Sequence, residues 1–373
     1  MKIAGIIFSD IQDGAIASEL THHRSQGSVP FGGRYRLVDF VLSNMVNSGV
    51  TKVGIITKNK YQSLMDHIGS GKHWDLSRKN GGVIFLPPYG AEENSRLYNT
   101  RLEALKGATS FLKHCTEEYI LMSDCGTICV PDFAEVAARH IARNADITVV
   151  SARAELFTES AANRMTFEID GSSRVQRVDI SPKLKGMRNL YLNMMFLSRT
   201  FLIRLLEEAS VFGYKSFSAD ILQNNAKNYK IYAYDYTGYY AQIESLESYY
   251  RANLDLLVKE KRDMLFARKG FPIYTKVRDS APSRFSEQGR AGNSLIADGC
   301  VIEGEVENSV VFRGVKIGAG ARVRNSILMQ DAVVSRGADL SFVIGDKNVF
   351  IKEKRVLAGC ESLPYYISKN AIL

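Results

Sequence analysis

Paired cysteines, long apolar runs and a glycine-rich first loop are all missing from this chain of 373 residues. Each absence removes a class of protein. The five cysteines, Cys115, Cys125, Cys129, Cys300 and Cys360, are odd in number and form no CxxC pair. That argues against a disulfide framework. Cys125 and Cys129 stand four apart, but no histidine or second cysteine pair nearby completes a zinc site. Reduced, mostly buried thiols are the expectation. No stretch reaches the ~20 apolar residues of a membrane span, and "MKIAGIIFSD" lacks a cleavage site behind its short apolar run, so it reads as a buried strand. A cytoplasmic protein with no membrane partner is expected.

A basic stripe is also lacking. The net charge is +8, yet the lysines and arginines are scattered, and both "KEKR" clusters, 259–262 and 352–355, carry their own glutamate. Without interleaved stacking aromatics, no nucleic-acid partner is expected. The positive balance suits anionic small ligands such as sugar phosphates, or simply a solvated surface. At 45% hydrophobic and 24% charged residues the composition is that of an ordinary globular protein, long enough for two domains.

What is present changes character along the chain. Up to about residue 125, apolar strands ("KIAGIIF", "TKVGIIT", "GGVIFLPP", "EYILMSD") alternate with amphipathic segments, the third of which places Leu102, Leu105 and Leu112 on one face. Such alternation predicts right-handed crossovers and a mostly parallel, Rossmann-like sheet covered on both faces. Ligands of such sheets bind beyond the carboxyl ends of the strands, and Asp124 stands at that edge. The mixed pattern continues to a helix in which Leu246, Tyr249, Tyr250, Asn253, Leu254 and Leu257 share a face, read as core and interface packing.

After a proline- and charge-bearing stretch, short apolar segments repeat, with Ser294, Ser309, Ser326 and Ser341 spaced 15, 17 and 15 apart. Within a repeat, Val311, Ile317 and Val323 recur every six residues. Hexad spacing with small residues at the corners predicts a β-helix of four imperfect coils; a β-sandwich of short strands shares the strand-and-turn spacing. The expected division is an α/β domain at 1–260, a linker at 261–290 and the β-helix at 291–373.

The segments "VPFGGRYRLVDFVLSNMVNSGVTKVGIIT", "HIGSGKHWDL", "LPPY", "ESYYRANLDLL", "PIYT" and "NSLIADGCVIEGEVENSVVFRGVKIG", in this order over nearly the whole chain, resemble the glucose-1-phosphate adenylyltransferase (ADP-glucose pyrophosphorylase) family. The resemblance implies a nucleotidyltransferase-type α/β fold followed by a left-handed parallel β-helix. It also implies transfer of an adenylyl group to glucose 1-phosphate with release of pyrophosphate, Mg²⁺ held by two aspartates, and a tetramer regulated by metabolites.

The residues that deliver this chemistry depart from the pattern. Where the family has GGxGxRL, this chain has "IQDGAIA": Ile11 and Gln12 replace the glycine pair, Gly14 survives and Ile16 replaces the arginine. Glycines there let backbone N–H groups approach phosphate; bulk at 11 and 12, Asp13, and the missing cation oppose it. Gln26 and Gly27 stand for the Lys-Pro before the PFGG motif, of which Pro30, Gly32 and Gly33 are kept. The family's GTA tripeptide corresponds to Asn99, Thr100 and Arg101, and its sugar-phosphate lysine to Ser181. Arg101, Lys183 and Lys185 are candidate anion contacts. The second metal aspartate corresponds to Gln242, an amide that brings no charge to a hard cation. Asp124, deprived of its partner, reads as a turn residue rather than a metal ligand.

These departures imply a regulatory, catalytically inactive subunit of the glycogen-biosynthesis D type, forming a heterotetramer with a catalytic subunit and responding to a sugar-phosphate or nucleotide effector. No cofactor is expected, and Mg²⁺ only if the chain is active. Two rival readings are an active but divergent transferase, with Glu244 as a relocated ligand beside Asp124, and a ligand-sensing module without turnover.

Overall fold

The computed structural model describes residues 1–10, 18–88, 98–156, 164–180 and 185–373. Its amino-terminal part is a mixed nine-stranded sheet. Ile3–Phe8 lies at the centre, parallel to Lys52–Ile56 on one side and to Tyr119–Asp124 on the other, with Gly82–Leu86 parallel at the edge. All six residues of the central strand are buried, as a strand covered on both faces requires. The alternating pattern therefore predicts this half correctly. The other half turns on the long strand Gly186–Ser198, antiparallel to Tyr119–Asp124, Ile147–Leu156 and Met165–Ile169, which gives the sheet its mixed character.

The carboxyl-terminal part is a left-handed β-helix whose three faces are each a ladder of five parallel strands. Val311, Ile317 and Val323 sit on successive faces, and all three side chains enter its interior. Ladder pairing starts at Arg284 and Arg290. The segment 261–290 is thus not a plain linker: it contains most of the helix Lys259–Phe266 and the beginning of the first coil. Five coils replace the four expected, because the first and last carry weaker hexad patterns.

A serine stack runs up one corner. Ser294 Oγ donates to the Gly292 carbonyl and accepts from Ser309 N–H at 3.1 Å. Ser309 Oγ accepts from Ser326 N–H at 3.0 Å, and Ser326 Oγ from Val343 N–H at 3.0 Å. The fourth position is Val343 rather than Ser341, which pairs instead with Arg324. Asn308 and Asn325 precede these serines with φ of 47° each, the left-handed conformation that asparagine tolerates at a tight corner.

One apolar core crosses the two parts, uniting Phe31, Tyr249 and Tyr250 with Val310, Phe312, Met329 and Ile344. The helix Leu246–Asp255 is the keystone: the Tyr249 hydroxyl donates to the Pro30 carbonyl at 2.8 Å and the Tyr250 hydroxyl to the Asn325 carbonyl at 2.6 Å. The packing role expected of these tyrosines is what the structure displays. No helix among the described residues is long and apolar enough to cross a membrane.

Candidate functional site

Because the central strands are parallel, Ile3–Phe8, Lys52–Ile56 and Tyr119–Asp124 end at one sheet edge, with Phe8 and Asp124 in register. Asp124 is wholly buried there. Its Oδ1 accepts from Gly126 N–H at 3.1 Å, which makes the turn after the strand, while its Oδ2 lies 3.0 Å from Arg101 Nη2. Burial pushes its carboxyl up to about 6 against the lowering influence of Arg101 and two backbone N–H groups.

Arg101 opens the helix Arg101–Gly107, and Thr100 caps that helix by accepting from Glu103 N–H. Its guanidinium also reaches Asn193 Oδ1 at 3.4 Å and covers the Phe8 ring. Asn193 has φ of 60° where Gly186–Ser198 breaks register, and such an irregularity re-aims a side chain toward the edge. Arg101 is thus buried and committed to Asp124, so the structure does not offer it as a free anion contact.

Gln242 lies opposite Thr127 in a two-residue antiparallel pair. Its Nε2 donates to the Tyr191 carbonyl at 2.9 Å, while its Oε1 is buried with no partner among the described residues. Glu244, two residues on, is held by Arg164 Nε at 3.1 Å. Burial raises the Glu244 carboxyl and Arg164 lowers it. Among the described residues, no group of three or more His, Cys, Asp or Glu side chains could hold a metal ion. The residues present do not fit Mg²⁺: the Asp124 carboxylate is paired to an arginine, the position for the second is an amide, and the Glu244 carboxylate two residues further on is paired to another arginine.

Gln26 is buried in the turn Gln26–Ser28; its N–H donates to Asp10 Oδ1 at 2.9 Å and its side chain to the Ile243 carbonyl at 3.4 Å. It contributes no cation to the cleft. Pro30 and Gly32 pack against the helix Leu246–Asp255, and Gly33 against the β-helix. Gly32, at φ of 60°, donates its N–H to Asn253 Oδ1 at 2.9 Å, and a Cβ on Gly33 would stand 3.7 Å from Ala297 and from the Val311 carbonyl. The motif persists as a joint. Lys185 is exposed beside Gly186–Ser198. Ile11, Gln12, Gly14, Ile16, Ser181 and Lys183 lie outside the described residues.

The edge is polar and incompletely satisfied. Ser9 Oγ, Asp10 Oδ2, Thr57 Oγ1, Thr127 Oγ1 and Tyr191 Oη join Gln242 Oε1 as buried atoms without a partner among the described residues. Buried polar groups are normally bonded, so these atoms mark the edge as a polar cleft rather than part of the apolar core. Sequence reasoning missed Arg164, just before the strand Met165–Ile169, and Tyr191 and Asn193 on the strand Gly186–Ser198, which lie far off in sequence and carry no motif. For Arg101 there was a signal: a cation in a tripeptide of small residues, facing the edge that ends in Asp124.

Residues 18–258 match the family model described as nucleotidyl transferase, and residues 280–361 the one described as GlmU-like, C-terminal hexapeptide. The chain is 34% identical to glycogen biosynthesis protein GlgD of Bacillus subtilis (strain 168), over 95% of this chain and 92% of that protein. It is 36% identical to GlgD of Geobacillus stearothermophilus over 86% and 83% of the two chains. With glucose-1-phosphate adenylyltransferase of Mycoplasma mobile it shares 32% identity over 82% and 80%.

Proposed function

The chain belongs to the glucose-1-phosphate adenylyltransferase family, and from that premise we propose that it is a regulatory, catalytically inactive subunit serving bacterial glycogen biosynthesis in the cytoplasm. It assembles with a catalytic subunit of the same family into a heterotetramer and changes that subunit's turnover or effector response. One observation carries the reading: Asp124 is closed by Arg101 at 3.0 Å, with the neutral Gln242 where the family's second aspartate belongs. Adenylyl transfer depends on positioning and charge neutralisation. Losing one electrostatic stabiliser costs roughly 10² to 10³ in rate, and such losses combine non-additively. No divalent cation is needed for the role.

The framework that builds contacts is intact, and that contrast supports a scaffold under use. The test mixes the purified chain with a catalytic subunit. Co-elution and a changed kcat or effector response are expected; separate elution with unchanged kinetics would reject the proposal. Pyrophosphate release from ATP and glucose 1-phosphate by the chain alone is expected to be negligible.

An effector-sensing role within that assembly is favoured by a second observation. At the junction of the two parts, Lys347 is crowded by Arg24, Arg36 and Arg278, with Asp346 as the opposing charge, and its ammonium is depressed to about 7 chiefly by burial and then by those arginines. Such an excess of positive charge suits an anionic metabolite. Calorimetry with sugar phosphates and nucleotides, on wild type and Lys347→Met, tests it.

A further inference from the structure

The geometry points to two arginines, Arg101 and Arg164, as resident countercations that close the charge balance of the cleft and keep divalent metal out of it. The inference rests on the reading of a cleft without turnover and deepens it, because it says what holds the old metal position instead.

Two carboxylates with arginine partners, Asp124 and Glu244, stand at or beside that position. The charge of Glu244 is felt at Asp124, so left unpaired the two carboxylates would give the cleft a negative balance attractive to a divalent cation. Each is instead met by a guanidinium: Arg101 Nη2 at 3.0 Å from Asp124 Oδ2, and Arg164 Nε at 3.1 Å from Glu244 Oε2. Two negative charges are matched by two positive ones.

The pairs are built rather than incidental. Arg101 is fixed at the first position of a capped helix, lies over the Phe8 ring and is bonded to Asn193 at the break in the long strand. Its side chain is 10% exposed and that of Asp124 is fully buried. A metal ion that took Asp124 would strand a buried guanidinium without its carboxylate, and an uncompensated buried charge is strongly unfavourable. Mg²⁺ and Mn²⁺ also require several oxygen ligands close to octahedral geometry, whereas Gln242 offers one neutral oxygen. The Gln242 amide oxygen has no hydrogen-bond partner among the described residues and carries no charge to attract the cation.

The probe is Mn²⁺ alone, followed by electron paramagnetic resonance and calorimetry on the full-length chain, with no turnover measured. Wild type and Asp124→Asn are expected to show the same weak, nonspecific binding. The Arg101→Ala/Arg164→Ala variant should gain one site at least roughly tenfold tighter than anything in wild type, since removing the guanidinium frees a buried carboxylate for the metal. Adding Asp124→Asn should abolish that site, and Arg101→Lys, which keeps the charge, should not create it.

A stoichiometric Mn²⁺ site in wild type that Asp124→Asn removes would overturn the inference. So would a folded double variant, melting as a single transition, that binds no metal. Should the double variant fail to fold, the comparison of wild type with Asp124→Asn decides alone. Failure here leaves subunit mixing untouched, because an inactive partner could still bind a metal; failure of subunit mixing leaves the Mn²⁺ titration equally untouched.

Discussion

Arg24 Nη2 lies 2.7 Å from Asp346 Oδ1 and 2.9 Å from Oδ2, joining the segment before the PFGG turn to the fourth coil of the β-helix through a pair with almost no exposure to water. The Tyr366 hydroxyl adds a hydrogen bond to the same carboxylate at 2.8 Å, and Lys347 N–H another at 2.6 Å. Removing one partner of a buried pair leaves an unmatched charge and typically costs about 3–5 kcal/mol, whereas replacing both by apolar groups is often neutral. Arg24→Met is therefore expected to lower stability by about that amount, and Arg24→Met/Asp346→Leu by much less than the sum of the single losses. Urea unfolding of the two single variants and the double variant measures the cycle; additive losses would show the residues to be uncoupled.

Asp10 gives the fold a pH dependence with a definite sign. Its Oδ1 accepts from Gln26 N–H, its Oδ2 is buried without a partner among the described residues, and burial raises the carboxyl to about 7 in spite of Lys58 and Lys60 nearby. The folded state thus holds a proton that the unfolded chain releases near 3.8. Asp10 contributes stability that is complete below that value and lost as pH rises through about 7. Asp124, raised to about 6, acts in the same direction. His67 and His140, lowered by burial, act in the opposite direction below their ordinary value. Comparing variants removes their contribution. Asp10→Asn should match wild type near pH 4 and exceed it by roughly 2–4 kcal/mol at pH 8. Thermal melts across that range check this, and a difference that shrank with rising pH would contradict it.

Ser326 tests how much of the β-helix depends on its side-chain stack. The hydroxyl is fully buried, donates to the Arg324 carbonyl at 2.7 Å and accepts from Val343 N–H at 3.0 Å. Ser326→Ala strips a buried N–H of its acceptor, and an unsatisfied buried donor costs about 1–3 kcal/mol. Ser294, at the exposed first coil, caps the same stack, so Ser294→Ala should cost well under half as much. Equal losses at the two positions, measured by denaturant unfolding, would mean that the stack carries no particular weight.

The parts legible in the sequence were those with a period. Hydrophobic alternation placed the central parallel strands, and the hexads placed Val311, Ile317 and Val323 on three faces of the β-helix. Serine counting went astray at Ser341, because two coils of unequal length shift the corner to Val343 and a β-branched residue there looks like any core position. The cleft was legible only as absences. Gln242 and Asp124 could be placed by their neighbours in sequence, but the Arg101 and Arg164 pairings join residues 23 and 80 positions apart. A motif reads residues one stretch at a time; charge compensation across strands has no local signature. For the same reason Pro30, Gly32 and Gly33 looked like remnants of a binding loop, whereas Tyr249, Asn253 and Val311 give them a joint to maintain.

Restoring one family residue should fail, and the way it fails is informative. Gln242→Asp adds a carboxylate two residues from Glu244, whose charge is already felt at Asp124. It also removes the donor that satisfies the Tyr191 carbonyl at 2.9 Å. Repulsion and burial both favour the protonated acid at the new position, and a protonated acid is no metal ligand. With Arg101 still seated on Asp124, nothing draws a cation in. The variant should release pyrophosphate no faster than wild type and lose about 1–3 kcal/mol of stability from the unmade hydrogen bond. Part of that loss should be recovered at pH 5, where the acid is neutral without penalty. A Mg²⁺-dependent rise in turnover from this single change would show that the arginines yield readily and that one missing carboxylate was the whole obstacle.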